Sequence, residues 1–271
     1  MPLHPALDVY LARWRLTPDG TLLTTHTSVL LPVRWQGIPV MLKVATEAEE
    51  RRGVESMIWW GGNGAARVLA HDGDALLMER AMGEGSLIEM ARTDRDDEAS
   101  RIICAVASRL HAPRARPRST TLVPLTRWFA ELKPAAAQHG GLLSLAATTA
   151  HELLDEPREI VVLHGDIHHG NILDFGPRGW LAIDPKHLVG ERAFDFVNIL
   201  RNPDAQSALA PGRFSRQVTV VADAGGLDRT RLLKWILAFT GLSAAWILGD
   251  GDQPDLDLAV AELAAAELSR S

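Results

Sequence analysis

An aspartate at 166, an asparagine five positions later at 171 and a second aspartate thirteen beyond it at 184 carry the clearest chemistry in this chain. They lie in Leu163-His164-Gly165-Asp166-Ile167-His168-His169-Gly170-Asn171-Ile172-Leu173 and in Ile183-Asp184-Pro185, each near an apolar, strand-like run. Phosphoryl transfer to a hydroxyl asks for this set. An ionised carboxylate must meet the acceptor O–H and take or orient its proton, a task for Asp166. Hard oxygen ligands must hold Mg²⁺ against the phosphates, which suits the amide oxygen of Asn171 and the carboxylate of Asp184. Turns beside hairpins also favour Asp and Asn, but rarely three at such a spacing. A zinc centre built from His164, His168 and His169 is the rival reading. It lacks a His-Glu-x-x-His helix or a cysteine partner, and the apolar neighbours of His164 place that ring in the core.

Three such side chains meet only if the chain folds back between them. Ile160 to Leu163 reads as a short buried strand, and Asn171-Ile172-Leu173 with Trp180-Leu181-Ala182-Ile183 as a hairpin turned by residues 174–179. Upstream, Thr21 to Trp35 and Ile38 to Val44 form a hairpin around Gly37. Thr46 stands at an N-cap position, with Glu47, Glu49 and Glu50 in the first turn of a helix to about Trp60 that Gly61 to Gly64 ends. Two short strands follow, Ala66 to Ala70 and Ala75 to Met78. Beyond about Gly83 the chain turns helical: Glu98 to His111, with Ile102, Ile103, Val106 and Leu110 on one face, then Arg127 to Ala137, Leu142 to Leu154, Phe194 to Leu200, Arg229 to Leu248 and Leu256 to Leu268. The expected organisation is a strand-rich unit over residues 1–82 and a helical unit over 83–271, hinged at about 79–84.

The Asp–Asn–Asp spacing matches the protein-kinase catalytic core, His-Arg-Asp-x-x-x-x-Asn followed by Asp-Phe-Gly. Lys43 ends the second hairpin strand, where the kinase lysine pairs with phosphates and with a helix glutamate. Glu50 on the next helix is the candidate partner, with Glu49 and Glu55 as competitors. No Gly-x-Gly-x-x-Gly separates the first strands. Thr24-Thr25-His26-Thr27-Ser28 holds that place, and its hydroxyls, Ser28 among them, would cover phosphates with the backbone N–H groups. In the connecting segment 77–83, an adenine would pair with the backbone of Glu79 and Ala81, and Met78 would line the base pocket.

Composition narrows the classes. The 271 residues are 46% apolar and 23% charged, as in ordinary globular proteins, which excludes a disordered or fibrous chain. With 28 basic against 34 acidic side chains the net charge is −6, which argues against nucleic acid as the main partner. The basic loop Arg114-Ala115-Arg116-Pro117-Arg118 is short and Pro-interrupted, and reads as solvated. Residues 249–271 hold six acids and one base, a solvated helix face or an acidic wall that attracts a cation. Cys104, the single cysteine, can form no internal disulfide. The start lacks the pattern of a signal peptide. The most apolar window, Leu232 to Leu248, contains Lys234 and falls short of the ~20 residues that span a bilayer, so no membrane role and a cytoplasmic location are expected.

On these motifs the sequence resembles the aminoglycoside phosphotransferase family, from about residue 25 to the C-terminus. It is similar in particular to the branch of streptomycin 6-phosphotransferases, or aminoglycoside/hydroxyurea resistance kinases. The catalytic stretch carries the resemblance, with Arg178-Gly179-Trp180-Leu181-Ala182-Ile183-Asp184-Pro185, Leu188-Val189-Gly190-Glu191, Trp59 with Gly64 to Leu69, and Leu242-Ser243-Ala244-Ala245-Trp246. The resemblance implies an α+β, two-lobed protein-kinase-like fold, with a small N-terminal antiparallel-sheet lobe and a larger helical C-terminal lobe. It implies transfer of the γ-phosphate of ATP, or of GTP in its place, with Mg²⁺, to the 6-hydroxyl of the streptidine ring of streptomycin. Asp166 would be the base, Asn171 and Asp184 the magnesium ligands and Lys43 the phosphate partner. Glu191, Trp246, Asp250, Asp252 and Asp255 are the candidates for a cationic aminoglycoside, since a guanidinium pairs with carboxylates and stacks on indole. Asp195 would brace the catalytic loop. A kinase of another hydroxylated small molecule, and a nucleotide-binding pseudokinase acting through partners, are the alternatives.

Overall fold

The computed structural model describes residues 5–270. The chain begins with α1 (Pro5–Arg13), two-residue strands β1 (Thr17–Pro18) and β2 (Leu23–Thr24), then β3 (Ser28–Trp35), β4 (Ile38–Ala45), α2 (Ala48–Trp60), β5 (Val68–Asp72) and β6 (Ala75–Glu79). The strands form one antiparallel sheet in the order β1-β3-β4-β6-β5, with β2 also paired to β3. Gln36 and Gly37, both with positive φ (52° and 82°), make the two-residue turn between β3 and β4, the geometry that matches strand twist. Strand alternation then sorts the side chains. Val29, Leu31 and Val33 of β3 with Val40, Leu42 and Val44 of β4 bury one face against Leu7 of α1. Lys43, one residue out of that phase, projects from the opposite face, above Leu30 and Leu76 in the register.

That second face meets the rest of the molecule. Val54 and Met57 of α2, Leu76 and Met78 of β6, and Phe175 and Leu181 form one buried cluster, with Met41, Ala81, Leu173 and Ile183 packed at its edge. The remainder is mostly helical: α3 (Leu87–Ala91), α4 (Asp96–His111), β7 (Val123–Pro124), α5 (Leu125–Trp128), α6 (Leu132–His139), α7 (Gly141–Asp155), β8 (Ile160–Leu163), β9 (Ile172–Asp174), β10 (Trp180–Ala182), β11 (Leu188–Glu191), a 3₁₀ helix (Arg192–Arg201), α8 (Ala205–Ala208), α9 (Arg213–Gly225), α10 (Arg229–Gly249) and α11 (Asp255–Leu268). Helix α10 is the axis of this part. Its Trp235 and Phe239 pack edge-to-face with Phe129 and Phe194. A Cβ at Gly241 would lie 2.3 Å from that of Ala146, so α10 and α7 touch almost backbone to backbone. Helix α10 is long and apolar enough to cross a membrane, but 72% of its most apolar window is buried in the molecule.

Several local expectations are corrected. The N-cap of α2 is Glu47, not Thr46. The expected helix from Arg127 to Ala137 is two helices, α5 and α6. Pro134 explains the break: without an N–H it fits the first turn of α6 and would interrupt a continuous helix. Phe194 to Leu200 winds as 3₁₀ rather than α. Helices α1, α3, α8 and α9 carry no individual expectation from the sequence. In α9 the run Val218 to Val221 has strand-like propensity, and packing of Phe214, Val218 and Val221 into the core overrides it.

Candidate active site

Strand β8 delivers His164-Gly165-Asp166 into the interior, and Asp195 braces the turn. The carboxylate of Asp195 accepts the backbone N–H of His164 (2.9 Å) and of Gly165 (2.7 Å), and the Nε2–H of His111 (2.7 Å). Gly165 has φ 82°, and a Cβ there would lie 2.7 Å from Leu188 Cδ1, so the turn needs glycine. His164 is fully buried, stacked on Trp60, with Nε2 against the Ile183 carbonyl at 2.8 Å. Its proton therefore sits on Nε2, and Nδ1 accepts the Asp166 N–H. Burial holds the ring below the usual histidine pKa. His169 is also buried and pushed down to about 3 by the same cause.

Both oxygens of Asp166 are oriented. Asn198 Nδ2 donates to Oδ1 at 2.8 Å and Asn171 Nδ2 to Oδ2 at 3.2 Å, while the same Asn171 amide also bonds the Asp166 carbonyl at 2.9 Å. With the Asn171 nitrogen held this way, its Oδ1 takes no donor among the described residues. Asp184, with φ 59°, sits just beyond β10 and receives Lys43 Nζ on Oδ1 at 2.6 Å. A left-handed aspartate is an uncommon conformation that clusters at functional sites. Helix α2 approaches this point closely because Gly53 has no side chain: a Cβ there would lie 2.2 Å from the Pro185 carbonyl. The second Asp184 oxygen and Asn171 Oδ1 are the hard oxygens that a magnesium ion takes, so the donor set fits that metal.

A cleft of about 790 Å³ opens beside Asp166. Trp128 and Trp246 stand on its wall edge-to-face at 5.3 Å, with the exposed carboxylates of Glu131 and Asp250 nearby. Below, Arg201 bonds Ser243 Oγ (2.7 Å) and pairs with the buried Asp257 (3.0 Å), whose carboxyl is raised by burial.

The structure thus brings Lys43, Asp166, Asn171 and Asp184 together, and places Trp246 and Asp250 on the adjoining cleft. Ser28 opens β3, its hydroxyl buried with no partner among the described residues. Met78 lies in the buried cluster between sheet and helices. Glu79 closes β6. Its N–H bonds the Arg67 carbonyl (3.0 Å) and its carboxylate holds Arg178 and Arg67, so that N–H has a partner already. Ala81 keeps both backbone groups without a partner among the described residues. The Glu50 side chain lies outside the described residues. Glu191 is a correction: it is buried, takes Arg231 at 2.6 Å and the Arg158 N–H at 3.0 Å, and lines no part of the cleft. Asp252 and Asp255 are exposed and also stand off the cleft lining. Trp128, Glu131, Asn198 and Arg201 are site residues that sequence reasoning missed. They reach the cleft through packing of separate helices, which leaves no spacing signal.

A small antiparallel sheet over a helical body, with a strand lysine on an aspartate beside a second Asp–Asn pair, defines the protein-kinase-like small-molecule phosphotransferases. A solved structure of this fold, an aminoglycoside phosphotransferase APH(4)-Ia in ternary complex with ADP and hygromycin B, superimposes with a TM-score of 0.64 at 13% identity, covering 97% of this chain and 96% of that one. The family described as aminoglycoside/hydroxyurea antibiotic resistance kinase matches residues 13–251, and the chain belongs to it. Among its relatives, the streptomycin 3''-kinase of Klebsiella pneumoniae is 51% identical over 93% of this chain and 97% of that protein. The streptomycin 6-kinase of Streptomyces griseus is 31% identical over 88% and 81%. The chain is a phosphotransferase with an alcohol group as acceptor.

Proposed function

We propose that this enzyme transfers the γ-phosphoryl group of ATP to the 3''-hydroxyl of streptomycin in the cytoplasm and so confers resistance. The observation that carries the reading is the 51% identity, over nearly the full length of both chains, to a streptomycin 3''-kinase. Asp166, fixed by Asn198 and Asn171, accepts the proton of the attacking hydroxyl. Lys43 neutralises phosphate charge, and the segment from Thr24 to Ser28 lies over the nucleotide with adenine against Met78 and the backbone of Ala81. Asn171 Oδ1 and Asp184 would hold Mg²⁺, which when bound neutralises the charge that develops on the phosphoryl oxygens. Residues 79–84 form the joint between the two lobes. Gly83 N–H bonds the Asp174 carbonyl (3.0 Å) and Gly85 N–H its carboxylate (3.1 Å), which fastens that joint to β9. The guanidinium groups of streptomycin suit the Trp128–Trp246 corner and the carboxylates of Glu131 and Asp250.

The 6-hydroxyl is the second reading, favoured by the matches to the streptomycin 6-kinases of Streptomyces griseus and Streptomyces glaucescens. The two readings place the phosphate on different rings. Tandem mass spectrometry of the product decides between them: a phosphorylated N-methylglucosamine fragment is expected, and a phosphorylated streptidine fragment would assign the 6-hydroxyl instead.

A further inference from the structure

We propose that His168 is a second catalytic residue of this site, its Nε2–H donating to the acceptor oxygen whose proton Asp166 accepts. The proposal rests on the phosphotransferase reading above. His168 lines the same cleft as Asp166, with 23% of its side chain exposed there. Its Nδ1 accepts the Gly170 N–H at 3.0 Å, so a neutral ring carries its proton on Nε2. Nε2 lies 3.9 Å from Asp166 Oδ1. That is too far for a direct hydrogen bond, but one oxygen atom placed between them reaches both. No described residue takes the Nε2–H. Nor does Asp166 need it, because Asn198 and Asn171 already hold both carboxylate oxygens.

The loop is shaped for this ring. A Cβ on Gly170 would come 3.1 Å from His168 Cε1 and 3.3 Å from Nδ1. The glycine therefore lets the imidazole fold back on the backbone, which fixes the direction of Nε2.

An acceptor hydroxyl has one proton and two lone pairs. Its proton points to Asp166 and one lone pair takes the His168 N–H, leaving the other to face phosphorus. That lone pair forms the new P–O bond as the bond from the γ-phosphorus to the bridging oxygen breaks. The electron pair leaves on ADP and the hydroxyl proton passes to Asp166. His168 keeps its proton throughout, and its contribution is to orient the nucleophile.

Two substitutions separate this role from loop support. Asn at 168 can still accept the Gly170 N–H but does not reach the cleft, whereas Gln can place an amide N–H near the position of Nε2. H168N is expected to lower kcat about 10- to 100-fold with KM for ATP and thermal stability near wild type, and H168Q to recover most of that loss. G170A, which displaces the ring, should slow the wild-type enzyme and have little further effect in H168N. Turnover is read twice, with streptomycin and as basal ATP hydrolysis with water as acceptor. A wild-type enzyme indifferent to streptomycin would refute the streptomycin reading, while the variant-to-wild-type ratio of basal hydrolysis would still test His168. Wild-type kcat in H168N, H168Q as slow as H168N, or full additivity of G170A with H168N would each overturn the proposal.

Discussion

At the scale of single residues, the site separates groups that act from groups that hold them. Asp166→Ala removes the proposed proton acceptor without touching Lys43 or Asp184, so turnover should fall by at least about 10³-fold while nucleotide binding, measured by calorimetry, persists. Asp184→Ala removes both the proposed metal oxygen and the partner of Lys43, and should weaken magnesium-dependent nucleotide binding as well. Asp195 is a different case. It is buried and takes three donors, so Asp195→Ala leaves those donors unpaired. A loss of about 3–5 kcal/mol in urea unfolding is expected; a loss below 1 kcal/mol would contradict the bracing role. That Lys43, Asp166, Asn171 and Asp184 would meet was legible in the sequence, because the proposed chemistry demands that spacing and the hairpins that carry them alternate cleanly. Asn198 and Trp128 were not, since each meets Asp166 or Trp246 only when distant segments pack. Glu191 shows the opposite failure. A carboxylate in a motif-like phrase was read toward substrate, and it is satisfied in the fold by Arg231.

At the scale of elements, the proposed nucleotide side depends on how closely α2 approaches the Asp184–Pro185 turn. Gly53 makes that approach, and in Gly53→Ala the added methyl collides with a backbone carbonyl, which has little room to yield. The variant is expected to keep its helical circular dichroism but to bind ATP about tenfold more weakly, a loss of about 1.4 kcal/mol as Lys43 and Asp184 are displaced. Unchanged ATP affinity would mean that α2 does not set the position of Lys43 and Asp184. Strands and helices with clean alternation, such as β3, β4 and α4, were readable from pattern alone. Helix α9 and the 3₁₀ segment from Arg192 to Arg201 were not, because tertiary burial and not local propensity decides their form.

At the scale of the whole molecule, several ionisable groups are sealed in their neutral forms. His164, His169 and His187 are buried and their pKa values are lowered, to about 3 for His169. Each folded pKa lies below the unfolded value of about 6.5. Between the two, the unfolded chain binds the extra proton, so these groups leave stability intact above about pH 6.5 and erode it as the pH falls to each folded pKa, for His169 down to about 3. The slope is roughly 1.4 kcal/mol per pH unit for each such ring. Melting temperature should therefore drop between pH 7 and pH 5, and a flat profile would show these rings free to ionise. On the alkaline side, burial raises the Cys104 thiol to about 12. Iodoacetamide at pH 8 should then modify Cys104 only as fast as the protein unfolds; immediate labelling of the native enzyme would contradict the burial.

Streptomycin phosphorylation at the Asp166 site is tested by streptomycin-dependent ADP release from the purified enzyme with Mg²⁺ and ATP, alongside a kanamycin control and the Asp166→Ala variant. Kanamycin presents ammonium groups where streptomycin presents guanidinium groups, so the Trp128–Trp246 corner should discriminate between them. The expected result is turnover stimulated by streptomycin, little response to kanamycin and none in Asp166→Ala. ATP turnover indifferent to streptomycin, or full activity in Asp166→Ala, would contradict the account.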